Sequence, residues 1–142
     1  MEGCIFCQIA SGEMKTNLIY DDELIAAFPD NHPIRPGHAM IISRQHWRYF
    51  EDLPEDTSCR IIHVAQRLAA AMKKLYGVPR VAFAFTGGDH DHAHAHVIPM
   101  REKTDLTSRR YIMETDLTFR STPEASSDEL AKTAEELRNA LI

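Results

Sequence analysis

The sequence is poor in what a nucleic-acid binder or a membrane protein needs. Acidic residues outnumber basic ones, 21 against 16, for a formal net charge of -5. That balance provides no basic face to neutralise a row of phosphates. No apolar run approaches the ~20 residues of a membrane span. Met1-Glu2-Gly3-Cys4 opens on an acid with no apolar stretch behind it, so no secretory leader is expected. Cysteine is scarce: Cys4, Cys7 and Cys59 are an odd count, which argues against a disulfide framework. Internal repeats, low-complexity runs and linkers are missing as well. These absences leave a soluble, cytoplasmic, single α+β domain of 142 residues. Its partners would exclude nucleic acid and membrane. One anionic small molecule could still be held in a local site of histidines and backbone amides.

Histidine is what the chain has in quantity. Three of its eight histidines alternate with small residues in His92-Ala93-His94-Ala95-His96-Val97-Ile98. Side chains in a strand repeat direction every second residue, so these three imidazoles share one face. Imidazole is poor core filler, so the pattern points to chemistry. A dinuclear metal signature of the His-x-His-x-Asp-His kind almost fits from His90, but His94 and Ala95 stand where the Asp-His pair is required. A cupin-like metal strand needs more strands and no long central helix. Covalent catalysis fits better. A neutral imidazole, with an ordinary pKa of about 6.5, is a competent nucleophile near pH 7. A phosphoryl group under attack needs donors around it. On this reading His94 attacks phosphorus, His96 binds the phosphoryl oxygens, and His92 is structural or a metal ligand.

The rest of the chain predicts the scaffold. Cys4 to Ile9 reads as one or two helical turns ended by Ser11-Gly12-Glu13. Residues 17–21 and 23–28 read as strands around an Asp21-Asp22 turn. Pro29 to Gly37 is a loop stiffened by three prolines, and 38–43 is a third strand. A long helix follows, with Asp52 as its N-cap, Pro54 in its first turn and Gly77 as its stop. Its buried face is Ile61, Val64, Ala65, Leu68, Met72 and Leu75. Val81 to Phe85 and 93–100 are further strands, the second stopped by Pro99. A short strand is expected near Arg110 to Glu114. A last helix starts near Ser126, capped toward Glu129, and buries Leu130, Ala134, Leu137 and Leu141. Cys59 is expected to be packed or partly exposed. His32 and His38 are expected to be hydrogen-bonded or solvent-exposed, His63 to lie at the surface or a dimer interface, and Arg109 and Arg110 to be solvated.

With these elements in order, the histidine stretch resembles the His-φ-His-φ-His-φ-φ signature of the histidine triad (HIT) family of nucleotide hydrolases and transferases. Cys4-Ile5-Phe6-Cys7-Gln8-Ile9 with Gly12-Glu13 resembles the amino-terminal signature of bacterial members. Phe28-Pro29-Asp30-Asn31-His32-Pro33 with Pro36-Gly37-His38 resembles the family's ribose-side loop, and Ile41-Ile42-Ser43-Arg44-Gln45-His46 its next strand and histidine turn. The resemblance covers about residues 3–101 and leaves 102–142 as an extension. It implies a HIT-like fold, a five-stranded antiparallel sheet with one long helix packed on it and a C-terminal helix added. It also implies a homodimer formed through the long helix and the strand near Val81 to Phe85.

By the same resemblance, His94 takes a nucleoside monophosphate from a purine nucleotide substrate, and water then releases it. The leaving group would be an amine, an acyl phosphate or a polyphosphate tail. His96 donates to the α-phosphate oxygens; histidine rather than glutamine there favours hydrolysis over transfer. Asp30 accepts the ribose hydroxyls, and Phe6, Phe28 and Asn31 line the base pocket. Relatives that carry Cys-x-x-Cys complete a zinc site with two histidines, implying structural zinc on Cys4, Cys7, His46 and His92. One loop departs from the family. Thr86-Gly87-Gly88-Asp89-His90-Asp91 is short, with Thr86 where an Asn is usual and Asp89 where a small polar group is usual. Thr86 would offer its hydroxyl to phosphate, and a protonated His90 would be a general acid. Asp89 and Asp91 would repel a polyphosphate tail, which favours a phosphoramidate or mixed anhydride. The alternative is a nucleotide-binding regulatory module with little turnover.

Overall fold

Alternation of side chains sorts the strands onto one sheet with two different faces. The computed structural model describes residues 3–106 and 122–141. In chain order the elements are α1 (Ile5–Ser11), β1 (Tyr20–Asp21), β2 (Ile25–Pro29), β3 (Ala39–Ser43), α2 (Glu55–Tyr76), β4 (Arg80–Phe85), β5 (His94–Met100) and α3 (Ser127–Ala140). The strands form one antiparallel sheet in the order β1-β2-β3-β5-β4. The expected five-stranded α+β architecture is therefore what the chain adopts.

Register decides what each face carries. Ala26 opposes Ile42 and Phe28 opposes Met40; Ile42 in turn opposes His94, and Met40 opposes His96. All of these side chains share one face, on which α1 lies with Phe6 and Ala10 buried against Ala26, Phe28 and Ile42. The opposite face, with Ile25, Ala27, Ala39, Ile41, Ala95 and Val97, packs on α2. Ile61, Val64, Leu68 and Met72 of α2 are fully buried there, each worth about 1.5–3 kcal/mol over an exposed position. Ala95 and Val97 thus serve the main core, and His94 and His96 share the face on which α1 lies.

Some local expectations are corrected. The N-cap of α2 is Pro54, whose carbonyl accepts from Ser58 N–H at 2.9 Å. Asp52 instead closes a 3₁₀ turn (Phe50–Asp52), accepting from the Tyr49 N–H at 3.2 Å. Leu75 is 40% exposed, and Ala71 is buried on the core face instead. Pro99 does not stop the histidine strand, which runs to Met100. Pairing with β3 ends at Val97, so beyond it only β4 flanks β5 and the missing N–H of Pro99 costs no bond on the β3 side. Leu130 is half-buried. The strand expected near Arg110 to Glu114 and the arginines Arg109 and Arg110 lie outside the described residues. Among the described residues no helix is long and apolar enough to cross a membrane.

The extension is tied down at both ends of its helix. Ala134, Leu137 and Leu141 join the main core. The Arg138 guanidinium donates to the Leu18 carbonyl at 2.7 Å, and that of Arg67 donates to the Leu141 carbonyl. Ser126 and Glu129 form the expected capping box.

Candidate functional site: one row of histidines, two chemistries

The amino-terminal segment meets the start of the histidine row. Cys4 is the N-cap of α1, its sulfur accepting from the Cys7 N–H at 3.4 Å. Cys4 Sγ lies 3.4 Å from His92 Nδ1, Cys7 Sγ 3.5 Å from the same nitrogen, and Cys7 Sγ 3.3 Å from His46 Nδ1. The four ligand atoms lie within 4.8 Å of one another. A tetrahedron with zinc–sulfur bonds of ~2.3 Å and zinc–nitrogen bonds of ~2.0 Å has sulfur–nitrogen edges of ~3.5 Å. Three of the four sulfur–nitrogen pairs therefore already stand at that spacing. His92 is fully buried, and its Nε2 lies 2.7 Å from the Ser43 carbonyl. A carbonyl only accepts, so the ring proton is on Nε2 and Nδ1 presents its lone pair to the sulfurs, as a zinc-ligating histidine with an outer partner does. Burial holds the His92 ring neutral and, aided by Cys4, raises the Cys7 thiol above its ordinary pKa. A bound cation would reverse the second effect by binding the thiolate.

Two residues along, the same logic gives the opposite outcome. His94 Nδ1 lies 2.7 Å from the His92 carbonyl, so Nδ1 carries the proton and Nε2 keeps its lone pair. His94 is 6% exposed and lines a cleft of about 580 Å³. The same cleft is lined by Phe6, Phe28, Asp30, Asn31, Thr86, Asp89, His90 and His96. The sequence-derived substrate residues are thus brought together in one cleft. Phe6 sits over the row, its ring centroid 4.9 Å from that of His90, 5.8 Å from His92 and 5.0 Å from His94. Asp91 is drawn aside: Arg48 donates to it at 2.8 Å and 3.1 Å, at the surface.

His96 belongs to a chain of bonds with a definite direction. The Ile34 N–H donates to His38 Nδ1 at 3.1 Å, which makes that nitrogen an acceptor. A neutral His38 therefore carries its proton on Nε2, 2.9 Å from His96 Nδ1. His96 Nδ1 accepts, and the proton of neutral His96 is on Nε2. Burial pushes the His38 pKa down to about 4, against the pull of Asp30. Burial and the neighbouring His94 also lower His96. Asp30 Oδ2 lies 3.5 Å from His38 Nε2 and 3.7 Å from His96 Nδ1, and Oδ1 accepts from the His32 N–H at 2.8 Å. The proline-rich loop is thus locked by its own side chains. His38 is hydrogen-bonded, one of the two outcomes expected of it, and its place beside His96 follows from its even-numbered spacing from Met40 and Ile42 on β3. Gly37 beside it has φ +98°, and a Cβ there would collide with the Tyr76 ring, so glycine is required.

Comparison with known proteins agrees with the geometry. A family model described as "HIT domain" matches residues 11–103. The chain belongs to the HIT family. An uncharacterised HIT-like protein of Methanocaldococcus jannaschii is 32% identical over 70% of this chain and 80% of its own. The adenosine 5'-monophosphoramidase of Saccharomyces cerevisiae is 33% identical over 80% of this chain and 73% of its own. Among solved structures, a zinc-bound histidine triad family protein from Mycobacterium smegmatis superposes with TM-score 0.74 at 28% identity, covering 98% of this chain and 93% of that one. HIT members thus include nucleotide hydrolases and a zinc-bound protein, and Cys4, Cys7, His46 and His92 of this chain form a cluster that could hold a metal ion.

Proposed function

We propose that this HIT protein is a nucleotidyl hydrolase that cleaves the bond between a purine nucleoside α-phosphate and an amine or acyl leaving group. One observation carries this reading: His94 Nδ1–H is held by the His92 carbonyl, so the Nε2 lone pair of a cleft-lining imidazole is available for attack. Nε2 forms a bond to phosphorus as the bond to the leaving group breaks. His96 Nε2–H donates to the phosphoryl oxygens as their charge grows. His90, exposed at the mouth of the cleft, gives a proton to the departing amine. Water then attacks the nucleotidyl-histidine and releases the nucleoside monophosphate. Asp30 takes the ribose hydroxyls, Thr86 offers its hydroxyl to phosphate, and Phe6, Phe28 and Asn31 hold the base. The carboxylate of Asp89 disfavours long polyphosphates.

Structural zinc is assigned to Cys4, Cys7, His46 and His92. When bound, it knots α1 to the start of the histidine row and so fixes Phe6 over the cleft. Reduced thiols in that role suit the cytoplasm. A homodimer through α2 and β4 is supported by the outer edge of β4, which no described strand covers, and by the exposed Phe50, Ile62 and Phe83 nearby.

Incubation with adenosine 5'-monophosphoramidate tests the function. AMP release that His94→Ala abolishes is expected. Tight AMP binding with no release from phosphoramidate, acyl-phosphate or dinucleoside substrates would make the chain a binding module instead. A much larger kcat/KM for diadenosine tetraphosphate than for the phosphoramidate would contradict the leaving-group preference.

A further inference from the structure

We propose that the C-terminal helix forms the far wall of the nucleotide cleft, and that Leu130 is a specificity-determining residue that measures the base. The inference rests on the nucleotide reading above and concerns a segment for which the sequence offered no role beyond packing.

Four observations place the wall. First, the segment leading into α3 is bonded to the loop that carries Asp30. The Ala125 N–H donates to the Asn31 carbonyl at 2.8 Å, and the Thr122 hydroxyl donates to the His32 carbonyl at 3.1 Å. Second, the turn after β5 is clamped to the same loop. Arg35 makes a bidentate pair with Asp105 at 2.8 Å and 2.9 Å, and Asp105 also accepts from the Arg101 and Glu102 N–H groups. The Arg35 guanidinium holds the Asp105 carboxyl down at about 2, so it stays ionised in ordinary buffers. Third, Thr122, Ser127 and Leu130 line the same cleft as Asp30, His94 and His96. Fourth, the far half of the helix is anchored by buried Ala134 and Leu137, so the wall does not depend on a ligand for its position.

Leu130 has a second neighbour that makes it a gauge. With Ile34 it also lines a separate cavity of about 560 Å³ between α3 and the proline-rich loop. Asp30, Ile34, His38 and Leu130 line both spaces, so Leu130 and Ile34 form the apolar part of the partition between that cavity and the cleft. The apolar part of that partition, beside the Asp30 carboxylate, suits the flat face of a base, while Asp30 serves the ribose. A pocket wall that loses or gains this much apolar volume changes discrimination by about tenfold or more.

Paired ligands test this. Affinities for AMP and for ribose 5-phosphate are measured by calorimetry on wild type, Leu130→Trp, Leu130→Ala and Glu135→Ala, the last an exposed position on the same helix. Melting curves accompany each. With Leu130→Trp the AMP dissociation constant is expected to rise about tenfold, while ribose 5-phosphate stays within about twofold. Leu130→Ala, which opens the cleft into the second cavity, is expected to reduce the preference for AMP over cytidine 5'-monophosphate. Glu135→Ala should match wild type. Equal losses for AMP and ribose 5-phosphate, or no loss for either, would overturn the wall. If wild type binds no nucleotide at all, the functional reading itself has failed and the wall falls with it. If wild type binds AMP and the Leu130 variants are unchanged, only the wall is wrong.

Discussion

His92 and His94 sit two residues apart on one face, and the chain uses them in opposite ways. Both have one ring nitrogen held by a backbone carbonyl at 2.7 Å. For His92 the carbonyl is that of Ser43 on the neighbouring strand, it holds Nε2, and Nδ1 is left for the cysteine sulfurs. For His94 the carbonyl is that of His92 itself, it holds Nδ1, and Nε2 is left for the cleft. Which nitrogen a carbonyl takes decides which lone pair a histidine presents, and on the proposed reading whether it grips a metal or attacks phosphorus. His96 extends the lesson, since another imidazole, His38, fixes its tautomer with the proton on Nε2, the donor that the proposed reading gives to phosphate.

The comparison can be broken at either end. The largest effect is expected from His94→Ala: phosphoramidase activity should fall about 10⁴-fold or more while bound zinc stays at wild-type stoichiometry, read by steady-state assay and metal analysis. Cys7→Ser should do the reverse to the metal. Structural zinc in small sites is worth about 10–16 kcal/mol of apparent binding energy, so zinc should be lost and the melting temperature should drop clearly. Activity should fall through a raised KM, because Phe6 loses its fixing point. A variant that kept zinc at full affinity would end the four-ligand assignment.

A smaller effect sharpens the His38–His96 link. His38→Ala leaves His96 without the donor that fixes its tautomer and should cost about 10²-fold in kcat. His38→Gln, which keeps an N–H toward His96, should recover part of it. The same residue has a pH signature. Its folded pKa, about 4, lies below the ordinary 6.5, so the unfolded chain binds the proton more readily. Stability is therefore fully present above pH 6.5 and lost as pH falls toward 4, by at most about 3 kcal/mol from this group. Denaturant titrations across that window should show a shallower loss in His38→Gln.

The sheet and its helices were legible in the sequence because burial writes its period plainly. The histidine strand, the long helix and the capping box at Ser126 and Glu129 each carried a local pattern, and the cluster of Cys4, Cys7, His46 and His92 followed from a resemblance. What could not be read was whatever depends on a distant partner. The acceptor role of His38 Nδ1 comes from a turn at Ile34, and the tautomer of His92 comes from a carbonyl on β3. Asp91 read as a group beside the leaving group, but Arg48, distant in sequence, draws it to the surface. The place of Leu130 at the cleft depends on bonds from Thr122 and Ala125 to a loop about ninety residues earlier.

The division of labour along the row is tested most directly by long-range proton–nitrogen NMR correlations on protein labelled with ¹⁵N-histidine near pH 7. The expected spectrum shows His94 protonated at Nδ1, and His38 and His96 protonated at Nε2. A neutral His94 protonated at Nε2, or a His96 protonated at Nδ1, would contradict the assignment of attack to one and phosphate binding to the other.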